Sequence, residues 1–150
     1  SSAASDVYKR QPHIVKKIEG QDSLDRRFYE RHYTKVDPKH FEPIVDGMWR
    51  GVNVGGTSTA ARLEGLDVCG KTGTAENPRG RDHSTFLSFA PKDNPKIAIS
   101  VYVENGGFGA SAALPIASLL EEYYLTDTIR RPALLEHIKN MNIYYPSYDR

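Results

Sequence analysis

The 150-residue chain has one cysteine, one tryptophan, two methionines, and almost no imbalance of charge. Each scarcity excludes something. With Cys69 alone the chain can form neither an internal disulfide nor a multi-cysteine metal site, so that thiol is expected to serve as a small apolar residue. Twenty Lys plus Arg against 19 Asp plus Glu leave a formal charge of +1, which offers no single-sign field to steer nucleic acid or an anionic membrane. The densest apolar stretch, residues 112–120, is far shorter than the roughly 18 to 20 residues that cross a bilayer, and no apolar h-region follows a basic start. No signal or anchor is therefore expected within these residues. His13, His32, His40, His83 and His137 show no His-x-x-x-His spacing, so no metal is expected.

What is present suffices for one core, at 39% hydrophobic residues. Residues 1–11 (SSAASDVYKRQ) have no periodicity and read as a non-native scar. A short strand is expected over 13–18 and an exposed excursion over 21–36. Asp37 followed by Pro38 signals a helix start, and Phe41, Ile44, Val45, Met48, Trp49 and Val52 recur at helical spacing until Gly55 and Gly56. Phe41 and Trp49 are expected in its core-facing stripe. Thr57 and Ser58 can cap a second short helix reaching Leu63, and Gly65 then turns the chain. Three strands are expected at 66–75, 84–90 and 97–104, the last two joined by a hairpin loop with Pro91 and Pro95. A glycine-rich link leads to a helix over 111–125 with Pro115 in its first turn or at a kink. A short helix at 133–139 lies within a tyrosine-rich tail, 127–150, expected to be loosely attached. The fold class is α+β, an antiparallel sheet with packed helices.

Gly65, Gly70, Lys71 and Thr72 fit the spacing of a phosphate-binding loop. The context contradicts that reading. A phosphate loop needs a strand before its first glycine and a helix starting near its lysine. Here the residues between the glycines are strand-like, and Thr72-Gly73-Thr74 followed by AENP opens no helix. The same lysine begins Lys71-Thr72-Gly73-Thr74, and Lys-Thr-Gly on a strand is one signature of penicillin-binding proteins and serine β-lactamases. The wider run VCGKTGTAENPRGRDHSTFLSFAPKDNPKIAISVYVENGGFG resembles the elongation-type class B penicillin-binding proteins, the penicillin-binding protein 2 group, over roughly residues 41–125.

That resemblance implies that residues 12–126 are the C-terminal part of a transpeptidase domain. It implies that the Thr74 backbone N–H is an oxyanion donor, that the Thr72 and Thr74 hydroxyls hold a substrate carboxylate, and that Lys71, on the opposite face, adds positive potential. Gly73 would let a bound peptide approach the strand. Lys at a strand edge, Thr in a strand and Gly at a bulge also have purely structural uses. The family also needs Ser-x-x-Lys and Ser-x-Asn, which this sequence lacks, so the nucleophile is absent and the chain alone is expected to be inactive. By resemblance the parent is a peptidoglycan D,D-transpeptidase, anchored in the bacterial cytoplasmic membrane with its catalytic domain outside. Its partners would be stem peptides, β-lactams and membrane proteins of cell elongation, with no cofactor, nucleic acid or nucleotide. A D,D-carboxypeptidase, a serine β-lactamase, or a non-catalytic penicillin-sensing or structural domain are the alternatives.

Two other groupings read as structural. Asp82, His83 and Ser84 are adjacent on a strand and alternate faces, so they cannot form a relay. Glu121 and Glu122 point about 100° apart on a helix, and a solvated face is expected. The chain expressed alone is expected to be poorly soluble, because faces that pack on other parts of the parent would be exposed.

Overall fold

The computed structural model describes residues 17–20 and 35–143. The readings of 1–11, of all but the last two residues of a strand over 13–18, of most of 21–36, and of the tail from 144 to 150 fall outside the described residues.

Asp37 and Pro38 start the first helix as their chemistry requires. The Asp37 carboxylate accepts the Lys39 N–H at 3.1 Å, and Pro38 has no N–H to leave unpaired. The first turn, Pro38–His40, is 3-10, and helix α1, Phe41–Asn53, continues from it. Its apolar stripe is only partly used. Val52 is fully buried and Val45, Met48 and Trp49 are half-buried, but Phe41 is 40% exposed. This corrects the expectation that Phe41 and Trp49 belong to the core: α1 packs mainly on one strand, and its first turns reach past that support. Trp49 sits at the rim, where its indole N–H donates to Asp67 at 2.8 Å and the Lys92 ammonium lies 5.0 Å from its ring.

After α1, Gly55 at φ +105° redirects the chain. The expected second helix is a single 3-10 turn, Thr59–Ala61. Leu63 and Leu66 then bridge across Gly65 at φ +76°, and this tight turn delays the next strand to Cys69.

Strands β1 (Cys69–Ala75), β2 (His83–Ala90) and β3 (Ile97–Val103) form an antiparallel sheet in the order β1-β2-β3. Directly opposed residues share a face. Thr72 opposes Phe86, which opposes Val101; Thr74 opposes Ser84, which opposes Val103. That face is covered by α2, Ala113–Thr126, which packs on β2 and β3. Phe86, Leu114, Ala113 and Ala117 meet Val52, Val68 and Ala61 there to make the core. Lys71, Gly73, Thr85, Leu87 and Tyr102 lie on the other face, where Leu87 and Tyr102 are 51% and 56% exposed. Pro115 falls in the first turn of α2, and Asp127, at φ +54°, ends that helix.

Helix α3, Pro132–Lys139, follows. The preceding Arg131 ties this segment to the body: its guanidinium donates to Glu122 at 3.1 Å, to the Ser118 hydroxyl at 2.8 Å, and to the carbonyls of Ser118 and Ala60. Glu121 and Glu122 do not form a solvated face. Glu121 is fully buried and Glu122 nearly so, because Ser118, Glu121 and Glu122, spaced i, i+3 and i+4, share a covered stripe of α2.

Candidate active-site wall

Lys71, Thr72, Gly73 and Thr74 occupy the middle of β1, an outer strand of the sheet. A strand runs through the lysine and no helix opens there, so the geometry is not that of a phosphate loop. The helix beside β1 is α1, fastened by Asn53, whose amide donates to the Trp49 and Val68 carbonyls. Cys69, the first residue of β1, is packed beneath α1, and burial pushes its thiol up to about 12, so it stays protonated.

Each motif side chain has a definite local partner. The Lys71 ammonium donates to the Thr72 carbonyl at 2.6 Å from an exposed position. The Thr72 and Thr57 hydroxyls share a hydrogen bond of 3.0 Å, which brings the turn after α1 onto the strand. The Thr74 hydroxyl accepts the Gly109 N–H at 3.4 Å and remains exposed. Thr72 and Thr74 thus lie on one face and Lys71 on the other. Gly73 has a packing reason of its own, since a Cβ there would collide with the Thr85 hydroxyl on the facing strand.

Asp82, His83 and Ser84 each satisfy a different backbone group. Asp82 accepts the Asn77 N–H at 3.1 Å and His83 Nδ1 accepts the Asn105 N–H at 3.0 Å. The fully buried Ser84 hydroxyl donates to the Phe108 carbonyl at 2.8 Å and accepts the Ala113 N–H at 2.9 Å. No relay joins them. They fix the loop mouth between β1 and β2 and the link from β3 to α2.

The sequence reading missed Thr57, Ser84 and Gly109 as neighbours of the motif. The glycine-rich run after β3 was the available signal, because close backbone approach is what such glycines permit. A Cβ on Gly109 would stand 2.5 Å from the Gly73 carbonyl oxygen and 2.6 Å from that of Thr85.

Comparisons with known proteins agree with the fold. Residues 1–120 match the penicillin binding protein transpeptidase domain model, a span that takes in the first eleven residues. The chain is 34% identical over 140 residues to the peptidoglycan D,D-transpeptidase MrdA of Haemophilus influenzae, covering 79% of this chain and 21% of that protein. It is 30% identical over 118 residues to the peptidoglycan D,D-transpeptidase PbpA of Mycolicibacterium smegmatis, covering 75% and 24%. Among solved structures, Pseudomonas aeruginosa PBP2 in complex with WCK 5153 superposes with a TM-score of 0.62 at 35% identity, over 78% of this chain and 26% of that one. The imipenem acyl-enzyme complex of penicillin-binding protein A from M. tuberculosis gives 0.55 at 30% identity, over 64% and 21%. The chain therefore spans about a quarter or less of the length of these relatives.

Proposed function

The chain belongs to the penicillin-binding protein transpeptidase domain family, in its elongation-type class B group, and from that premise we propose that β1 is one wall of a serine D,D-transpeptidase site. The observation that supports this is the placement of Lys71-Thr72-Gly73-Thr74 on an outer strand with an exposed ammonium and an exposed hydroxyl. In the reaction, a serine hydroxyl attacks the carbonyl of the penultimate D-alanine of a stem peptide. The new C–O bond forms, the C–N bond to the terminal D-alanine breaks, and the departing amine takes a proton. An amine of a neighbouring peptidoglycan strand then displaces the serine.

Negative charge grows on the carbonyl oxygen during attack, and the Thr74 N–H is the donor on this wall that receives it. The Thr72 and Thr74 hydroxyls hold the terminal carboxylate of the donor peptide or of a β-lactam. Lys71 raises the positive potential around both. The attacking serine comes from outside the 150 residues, which contain no Ser-x-x-Lys. The chain alone is then inert toward penicillin. Membrane anchoring, an external catalytic domain and partners in the elongation machinery belong to the same proposal for the parent.

The test is fluorescent-penicillin labelling of the full-length protein. Labelling is expected on a serine outside residues 1–150, with no labelling of the isolated chain. Lys71→Ala is expected to slow acylation on the order of a hundredfold, the scale of losing one electrostatic stabiliser. An unlabelled full-length protein, or undiminished labelling of Lys71→Ala, would overturn the proposal.

A further inference from the structure

Thr74 has one hydroxyl proton to give and two lone pairs to receive with. Gly109 occupies one of those lone pairs from the backbone, which leaves the proton and one lone pair as the free capacity of an exposed side chain. A backbone donor cannot rotate away, so wherever Gly109 is held it bars the proton from one of its three staggered positions and turns it toward the other two. Gly109 lies on the backbone of Gly73 and Thr85, where a Cβ has no room.

Ser84 holds it there. Ser84 is the cross-strand partner of Thr74, and its fully buried hydroxyl binds the chain on both sides of Gly109, at the Phe108 carbonyl and at the Ala113 N–H. The Gly107 N–H, donating to the Asp82 carbonyl at 2.8 Å, pins the same link at its other end. We propose that Ser84 and Gly109 are positioning residues for the donor carboxylate: Ser84 clamps the link between β3 and α2, and Gly109 turns the Thr74 hydroxyl proton toward the bound carboxylate. Neither touches substrate; both act through Thr74. This rests on the reading of Thr74 as a carboxylate contact.

A solely structural clamp would affect folding but would not couple to the Thr74 hydroxyl. The full-length enzyme is therefore compared as wild type, Thr74→Val, Ser84→Ala and the double variant, with benzylpenicillin as ligand. Two constants are separated, the dissociation constant of the noncovalent complex and the first-order acylation rate. Thr74→Val is expected to weaken the noncovalent complex about tenfold, and Ser84→Ala about three- to fivefold with the acylation rate changed less than about twofold. On the Thr74→Val background, Ser84→Ala should add less than about 1.5-fold, because the two act as one unit. If Ser84→Ala fails to fold, Ser84→Cys, which keeps a weak donor of similar size, makes the same comparison. Additive effects of Ser84 and Thr74, or an Ser84 effect confined to the acylation rate, would overturn the proposal. Unchanged constants for Thr74→Val alone would instead remove the carboxylate reading of Thr74, and the proposal with it.

Discussion

The outer strand β1 and the stripe of α2 beneath the sheet are both rich in polar side chains, yet they differ in what those side chains face. On β1, Lys71, Thr72 and Thr74 make local hydrogen bonds while Lys71 and Thr74 stay exposed. On α2, Ser118, Glu121 and Glu122 are enclosed, and Arg131 reaches only part of the group. A hydrogen bond exchanged with water contributes little, whereas a charge removed from water is costly unless it is paired. The edge strand can thus keep its donors available to a ligand at little cost to the fold. The buried stripe is where polar groups decide stability.

Arg131 is the strongest way to break that contrast. Glu122 is almost fully buried and its carboxylate is held at 3.1 Å by the Arg131 guanidinium, which also occupies Ser118 and two carbonyls. Arg131→Ala leaves that charge enclosed without its partner, and about 3 to 5 kcal/mol of stability is expected to go with it. Denaturant unfolding measures the loss. Adding Glu122→Gln to Arg131→Ala should return part of it, since a neutral amide is less costly to enclose. A loss below about 1 kcal/mol would put this pair on the scale of exposed ion pairs and erase the distinction between the two regions.

Glu121 sharpens the contrast through pH. Burial pushes its carboxyl up to about 7, against the opposing influence of the Ser88 hydroxyl and the Arg131 charge. Among the described residues, neither Glu121 carboxylate oxygen nor Ser88 Oγ has a hydrogen-bond partner. The fold therefore holds a proton on Glu121 that the unfolded chain releases between about pH 4.5 and pH 7. Its contribution is full below the lower value and fades as pH rises through the upper one. At about 1.4 kcal/mol per pKa unit, the ionised form costs on the order of 3 kcal/mol above pH 7. Glu121→Gln should thus stabilise the protein most at pH 8 and close to not at all near pH 4.5. A pH-independent difference between variant and wild type would show that Glu121 is not the group involved.

These two regions also differ in how far their sequence announces them. Alternation marks β2 and β3 to within a residue of their ends, and β3 stops at Val103 because Asn105 takes φ +55°. The motif on β1 was legible because its four residues and their strand context are contiguous. Its start was not, since the bridge between Leu63 and Leu66 reshapes the chain before Cys69. Glu121 and Glu122 compared only with each other look like a solvent-facing pair. Their burial depends on Arg131, nine residues beyond Glu122, and on the sheet packed beneath. Gly109 is legible as part of a glycine-rich link that permits close approach, but its partners are not, because they lie far off in the chain at Gly73, Thr74 and Thr85.

The smallest effect is expected at Thr57. Its hydroxyl meets that of Thr72 at 3.0 Å, a contact as short as several in the buried stripe, but Thr57 is exposed and water can replace either partner. Thr57→Val removes that hydroxyl while nearly keeping the shape, so the unfolding free energy should move by no more than about 0.5 kcal/mol. The same substitution frees the Thr72 hydroxyl from its neighbour at the strand proposed to meet the carboxylate. A measurable change in noncovalent penicillin affinity alongside unchanged stability would place Thr57 with the site rather than with the fold. A stability loss above about 1 kcal/mol would instead show that edge hydroxyls sustain the fold as buried ones do, and the separation between the two regions would fail at the edge strand itself.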